Sequence, residues 1–191
     1  MSKQIPVGIS NRHIHLSPDH LKQLFGEVHE LTELKPLSQP GQFAAAESVT
    51  IVGPKGEIQK VRVLGPVRRE TQIEISRTDA FKLGINPPVR DSGDTEGTPG
   101  LRVVGPQGEV ELDKGVIIAA RHIHFHTSDA ESFGVQNGDK VKIKTQGERA
   151  VIFDHVLCRV HDNYALDCHL DTDEGNAAGL KTGDTVELIK D

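Results

Sequence analysis

Short runs rich in valine and isoleucine recur along this chain between glycine turns, and one such hairpin occurs twice in near copy. Val52-Gly-Pro-Lys-Gly-Glu-Ile58 returns as Val104-Gly-Pro-Gln-Gly-Glu-Val110. Each reads as two strand ends joined by a turn, because a proline of fixed φ followed by a permissive glycine reverses the chain tightly. A second element repeats around Asp79, Asp129 and Glu174, where an acidic residue opens a few helical positions and Gly84, Gly134 or Gly179 closes them. Acidic N-caps and glycine C-caps predict helices of one to two turns. The last two copies run on through Gly-Asp turns into strands, at Gly138-Asp139-Lys-Val-Lys-Ile143 and Gly183-Asp184-Thr-Val-Glu-Leu188. The first short helix, Asp19 to Gly26, is slightly longer and begins with Ser17-Pro18-Asp19, a capping residue with proline early in the helix. The chain is thus mainly β and built by a diverged duplication. The copies are few and irregularly spaced, which favours two related β-barrel domains with short capping helices over a solenoid. The polar, glycine-rich segment Arg90–Gly100 reads either as a linker or as a mobile loop over a site.

The 22 basic and 28 acidic residues leave a formal net charge of −6, with no basic block or aromatic-interleaved stripe. Nucleic acid is therefore excluded as the expected partner. Only Cys158 and Cys168 are present, so no disulfide framework is expected, and no secretory signal opens the chain. The longest apolar stretch, Val116–Ala120, is far too short to cross a bilayer. The expectation is a soluble, cytoplasmic protein without a membrane partner.

The chemistry concentrates in Arg-His-Ile-His, which occurs at Arg12–His15 and again at Arg121–His124. On a strand, residues i and i+2 share a face about 6.5 to 7 Å apart, so both imidazoles can converge on one ion. Two copies point to two metals, with zinc first, although copper, nickel and iron also take imidazole. The alternative is a duplicated strand that keeps its histidines as ordinary hydrogen-bonded side chains. A third segment, Val67-Arg-Arg-Glu-Thr-Gln-Ile-Glu-Ile-Ser76, alternates its isoleucines with polar residues. If it is one uninterrupted strand, Arg68, Glu70, Gln72 and Glu74 share a face. Glu74 can then complete a set with His13 and His15 and leave a position open for water or substrate; taken alone, the segment reads more simply as a solvated face with ion pairs. His169, in Leu166-Asp-Cys-His-Leu-Asp-Thr-Asp-Glu174, can supply a third imidazole to His122 and His124. Cys168 points the other way on a strand. His126 continues the i, i+2, i+4 register of His122 and His124, which would spread three histidines over about 13 Å. Asp167, Asp171, Asp173 and Glu174 read as caps and as acceptors for imidazole N–H groups rather than as ligands. No phosphate-binding glycine loop, dinucleotide fingerprint or serine elbow is present. Any catalysis should rest on metals and arginine.

Taken together, Gly8-Ile-Ser-Asn-Arg-His-Ile-His-Leu-Ser-Pro18, Gly65-Pro-Val-Arg-Arg-Glu-Thr-Gln-Ile-Glu-Ile-Ser76, Arg121-His-Ile-His-Phe125 and His169-Leu-Asp-Thr-Asp-Glu174 resemble the PduL-type phosphate propanoyltransferases, a phosphotransacylase family. The resemblance runs over essentially the whole chain. It implies interconversion of a short acyl-CoA (acetyl or propanoyl) plus phosphate with an acyl phosphate plus coenzyme A, using two zinc ions between two β-barrels. It also implies that His13, His15 and Glu74 hold one zinc and His122, His124 and His169 the other. Arg68 would bind phosphate, with Ser92 beside it. The barrels it implies are not consecutive halves: residues 12–119 form one, and residues 120–191 form the other, completed by strand 1–11. Microcompartment relatives carry an N-terminal amphipathic helix. Here the first strand begins within a few residues of Met1, so a shell partner is not expected, while a homodimer is left open. The competing readings are a dinuclear zinc hydrolase on the same ligands and a non-catalytic, zinc-stabilised assembly component.

Overall fold

The computed structural model describes residues 4–189. The first half contains β1 (Gln4–Ser10), β2 (His13–His15), α1 (Pro18–Phe25), β3 (Glu33–Pro36), β4 (Phe43–Val52), β5 (Glu57–Gly65), β6 (Gln72–Glu74), α2 (Arg77–Leu83) and β7 (Val89–Arg90). The second contains β8 (Arg102–Val104), β9 (Glu109–Glu111), β10 (Val116–Ala119), β11 (His122–Phe125), α3 (Thr127–Phe133), β12 (Lys140–Lys144), β13 (Ile152–Val160), β14 (Asp167–Asp171), α4 (Thr172–Ala178) and β15 (Thr185–Ile189). Strands dominate and the four helices are short, so the chain is mainly β. Among the described residues no helix is long and apolar enough to cross a membrane.

The chain divides into two compact units, and strands are exchanged between the sequence halves. The terminal unit takes in residues 4–11, Ser38–Pro40 and 120–189. It is a closed barrel in the order β1-β14-β11-β13-β12-β15. β1 runs parallel to β14 and antiparallel to β15, so the first strand closes a barrel whose other five come from the far end of the chain. Period-two burial drives this pairing: Ile5 and Val7 are buried while Gln4 and Pro6 are exposed. Ile5 and Val7 join Ile123, Phe125, Ile143, Val156, Leu170 and Val186 in the core, and each large aliphatic side chain taken from water contributes about 1.5–3 kcal/mol. No sequence feature signals the excursion at Ser38–Pro40. It is held by the buried amide of Gln39, whose Nε2 donates to the Ala165 carbonyl at 2.9 Å while its Oε1 accepts from Ala165 N at 3.2 Å.

The central unit, Arg12–Leu37 and Gly41–Ala119, is a nine-stranded sheet in the order β7-β10-β6-β2-β5-β4-β8-β9, with β3 paired on β4. The terminal sheet closes as a barrel, and this one forms a half-barrel. Its two Gly-Pro-x-Gly hairpins, β4–β5 and β8–β9, are anchored in matching fashion. Lys55 N donates to the Leu83 carbonyl at the end of α2, and Gln107 N to the Leu24 carbonyl near the end of α1, both at 3.0 Å. Each turn thereby satisfies a carbonyl that a helix end leaves unpaired. The backbones approach closely enough to require glycine: a Cβ on Gly53 would stand 2.3 Å from Leu83 O, and one on Gly105 2.5 Å from Leu24 O. Gly53→Ala and Gly105→Ala should each destabilise the protein by about 1–3 kcal/mol, the usual cost of overpacking. Thermal melts of both variants that match the wild type would show that the hairpins can lift off the helix ends without cost.

The short helices form, with their caps shifted from the expected residues. Ser76, His126 and Asp171 are the N-caps of α2, α3 and α4. Asp79, Asp129 and Glu174 lie three residues further on, where a carboxylate faces the positive helix end and, in α4, completes a capping box with Asp171. Gly84, Gly134 and Gly179 close these helices in the left-handed conformation, as their positions predict.

Candidate metal centres

In the central unit β2 lies between β5, which runs parallel to it, and β6, which runs antiparallel. Ile14 is fully buried in the hydrophobic core, so the strand's alternation sends His13 and His15 to the opposite face. Directly across the ladder, His13 faces Glu74 and His15 faces Gln72. His13 Nε2 lies 3.4 Å from Glu74 Oε2, and one donor atom from each of His13, His15 and Glu74 falls within 4.8 Å of the others. Burial, reinforced by the neighbouring His13 and Arg68 charges, lowers the pKa of His15 to about 3. Its lone pair is free at neutral pH. Burial disfavours ionisation of Glu74, but charge and hydrogen bonding from His13, with help from His15 and Ser92, outweigh it and hold the carboxyl well below the usual range.

The terminal unit repeats the arrangement. β11 lies between β13, parallel, and β14, antiparallel, and Ile123 points into the core. His122 now faces His169 and His124 faces Asp167. Donor atoms of His122, His124 and His169 again fall within 4.8 Å of one another. His122 Nδ1 lies 2.8 Å from the Ala120 carbonyl, which can only accept, so its hydrogen sits there and Nε2 carries the lone pair. That Nε2 lies 3.0 Å from His124 Nε2, while His124 Nδ1 is buried without a hydrogen-bond partner. Burial, with the nearby His122, His169 and Arg159 charges, pulls the His124 pKa to about 2. Imidazole nitrogens that converge in this way, with His15 Nδ1 and His124 Nδ1 buried and without a hydrogen-bond partner, are the donor set a divalent cation completes, and three histidines, or two with a carboxylate, suit zinc.

The rival ligands are placed elsewhere. Cys168 faces Ile123 and is fully buried in the core. His126 lies beyond the end of β11 and caps α3, its side chain accepting from Ser128 N. Both cysteines are free.

The segment before Glu74 is not an uninterrupted strand: β6 covers only Gln72–Glu74. Arg68 precedes it in a loop, its backbone N bonded to the Leu16 carbonyl at 2.9 Å. Glu70 leaves the cluster altogether, accepting from Thr95 and lying 3.8 Å from Lys114. Arg68 reaches the site from its loop through Ser92, whose Oγ accepts from Arg68 Nη1 at 3.1 Å and from Gln72 Nε2 at 2.9 Å while donating to Glu74 Oε1 at 2.9 Å. Gln72 also donates to Glu74 Oε1 at 2.7 Å and accepts from Gly93 N at 2.7 Å. Of the two readings of the 90–100 segment the loop at the site fits, since it delivers Ser92 and Gly93 to the cluster.

The arginine of each repeated motif has a matching task. Arg12 Nε donates to Asp79 Oδ2 at 2.8 Å, and Arg121 Nη1 to Glu174 Oε1 at 2.9 Å. Asp79 and Glu174 both lie in the first turn of the helix that follows the strand carrying the third donor. Each ion pair thus ties the two-histidine strand to the segment that positions its third partner. The signal was present in the sequence as two equivalent pairs, Arg12 with Asp79 and Arg121 with Glu174, but strand pairing was needed to connect them.

A mainly β protein with two such buried donor clusters belongs among candidate metalloenzymes. Comparison with known proteins narrows the class: the phosphate propanoyltransferase family profile matches residues 6–181. A phosphate propanoyltransferase of Thermotoga maritima is 62% identical over 187 residues, covering 97% of this chain and 89% of the relative. One from Rhodopseudomonas palustris is 53% identical over 187 residues, covering 98% and 83%, and one from Citrobacter koseri is 52% identical over 188 residues, covering 98% and 89%. The chain belongs to the phosphate propanoyltransferase family, and it is a phosphate acyltransferase enzyme.

Proposed function

We propose that the protein transfers a short acyl group, acetyl or propanoyl, between coenzyme A and phosphate. One zinc ion is held by His13, His15 and Glu74, and a second by His122, His124 and His169. The observation that carries this reading is the chain of contacts from Glu74 through Ser92 to Arg68, found in a member of this family. It joins a metal-type donor set to a guanidinium. When bound, zinc supplies a borderline-soft Lewis acid able to take a thiolate or polarise a carbonyl oxygen. Arg68 presents a planar fork to phosphate oxygens, and Ser92 steadies that fork from one side. Burial of His15 and His124 keeps their rings neutral, as ligation requires.

In the direction of acyl phosphate synthesis, a phosphate oxygen attacks the thioester carbonyl carbon. The new C–O bond replaces the C–S bond, and coenzyme A leaves as its thiolate. A covalent acyl-enzyme on cysteine is disfavoured, because burial pushes the Cys158 thiol up to about 12 and that of Cys168 higher still. The cytoplasm, where acyl-CoA and phosphate meet, is the place we assign to the reaction.

Acyl-CoA consumption should require phosphate and yield acyl phosphate stoichiometrically across acetyl- and propanoyl-CoA. Butanoyl-CoA should be slower by roughly tenfold, the discrimination one extra methylene supports. Thioester loss at the same rate without phosphate would identify a hydrolase instead, and inertness of the metal-loaded protein toward all three thioesters would leave only an assembly role.

A further inference from the structure

Arg68 sits in the loop between β5 and β6, and most of that loop has no place in a core. Pro66, Val67, Arg69 and Glu70 are exposed, so polar anchors rather than packing decide where the guanidinium points. The buried residue is Thr71, 8% exposed at the loop's far end. Its Oγ1 accepts from Ser17 N at 2.9 Å and lies 2.7 Å from His20 Nδ1. We propose that Thr71 is a positioning residue for phosphate use: its hydroxyl locks the Arg68 loop onto the peptide unit that follows the strand of His13 and His15. The inference rests on the reading of Arg68 as the phosphate-binding group.

The Leu16–Ser17 peptide is held at both of its polar atoms. Its carbonyl accepts from Arg68 N at 2.9 Å and its N–H donates to Thr71 Oγ1, so residues 68 and 71 grip opposite edges of one planar unit. That unit follows directly on His15, the last residue of β2, and the loop is thereby referenced to the strand that carries two of the metal donors. Thr71 has one hydrogen to give, and two acceptors lie in reach: His20 Nδ1 at 2.7 Å and Ser17 Oγ at 3.4 Å. With a neutral ring whose own hydrogen sits on Nε2, the nearer nitrogen takes it. Burial lowers the pKa of His20 against the opposing charge of Asp19, which favours that state. Ser17 Oγ is already engaged as the N-cap of α1, accepting from His20 N at 3.3 Å. The hydroxyl is thus spent in both directions on the first turn of α1. The loop's remaining side-chain tie, from Thr95 Oγ1 to Glu70 at 3.2 Å, ends on an exposed carboxylate and competes with water. Without the Thr71 hydroxyl the loop backbone would hang on Arg68 N and that exposed tie, leaving the guanidinium freer to swing.

The test is steady-state kinetics of the full-length, metal-loaded chain with phosphate and acyl-CoA varied separately, alongside elemental analysis and a thermal melt. Thr71→Val keeps the side chain's shape and should raise the KM for phosphate about tenfold, near the upper end of what one net hydrogen bond supports. Metal content and the KM for acyl-CoA should stay as in the wild type. Thr71→Ser returns the hydroxyl and should restore phosphate use, which a purely steric role of the threonine would not allow. His20→Ala removes only the acceptor of the Thr71 hydrogen and should raise the same KM about threefold; it also covers the case in which the valine variant fails to fold. Arg68→Lys is the reference. If it impairs phosphate use while folded Thr71→Val, or His20→Ala should valine not fold, keeps the wild-type KM for phosphate, Thr71 is a structural contact and the phosphate site stands without it. Equal losses in kcat and in both KM values, with no rescue by serine, would likewise reduce Thr71 to a residue of the fold. Unchanged phosphate kinetics in Arg68→Lys itself would overturn the phosphate site and, with it, the part Thr71 plays.

Discussion

Replacing Glu74 with glutamine is expected to remove one of two equivalents of bound metal and nearly all acyl transfer. The change keeps the side chain's volume in a site only 9% exposed, so the fold should survive, while the single negative charge among His13, His15 and Glu74 is lost. A neutral amide oxygen is a poor zinc ligand beside two imidazoles, and the glutamine would also turn an amide toward Ser92 and Gln72, which now bond Glu74 Oε1 at 2.9 and 2.7 Å. Metal-ion stabilisation of developing charge is worth several kcal/mol. At about 1.36 kcal/mol per tenfold, its loss should cost roughly a thousandfold in kcat/KM. The His122→Ala variant tests the other cluster: it removes the imidazole opposite His169 and should also leave one equivalent. Elemental analysis of purified variants alongside the phosphate-dependent thioester assay reads both effects. Retention of two equivalents with activity within threefold of the wild type in either variant would remove that cluster from the metal chemistry.

Local rules carried the sequence a long way toward this site. Period-two alternation was enough to put His13 with His15, and His122 with His124, on one face, because Ile14 and Ile123 are the residues that enter the cores. Proline and glycine marked both hairpins. The limits appeared wherever a long-range partner decides the geometry. Ser76 and even His126 won the N-cap positions from Asp79 and Asp129, and of the acidic residues read as caps around α4 it is Asp171 that takes the position, since a cap is defined by where the strand before it ends. The alternating pattern of Val67–Ser76 left one uninterrupted strand open, but only Gln72–Glu74 pairs, and Arg68 comes to the cluster by way of a loop. Gln72 and Asp167 became visible as a matched pair only through cross-strand register, which no local pattern encodes.

Changing Arg68 to lysine should leave both metals and the melting temperature in place while sharply weakening the use of phosphate. The positive charge is retained; the two-pronged contact with phosphate oxygens is not. Arg68 is held from two sides, with its backbone N on the Leu16 carbonyl at 2.9 Å and Nη1 on Ser92 Oγ at 3.1 Å, so its guanidinium is directed before any ligand arrives. A lysine ammonium can replace one of those contacts at a time. Losing a hydrogen bond to a charged group costs about 1.5–3 kcal/mol, which corresponds to roughly 10- to 150-fold in kcat/KM for phosphate. The loss should appear in phosphate dependence with the apparent KM for acyl-CoA little changed. Ser92→Ala should move the same parameter in the same direction by less, because it frees the guanidinium without removing it. If Arg68→Lys keeps the wild-type KM for phosphate and the wild-type turnover, the arginine is a structural contact of the Ser92 segment and another cation must receive the phosphate.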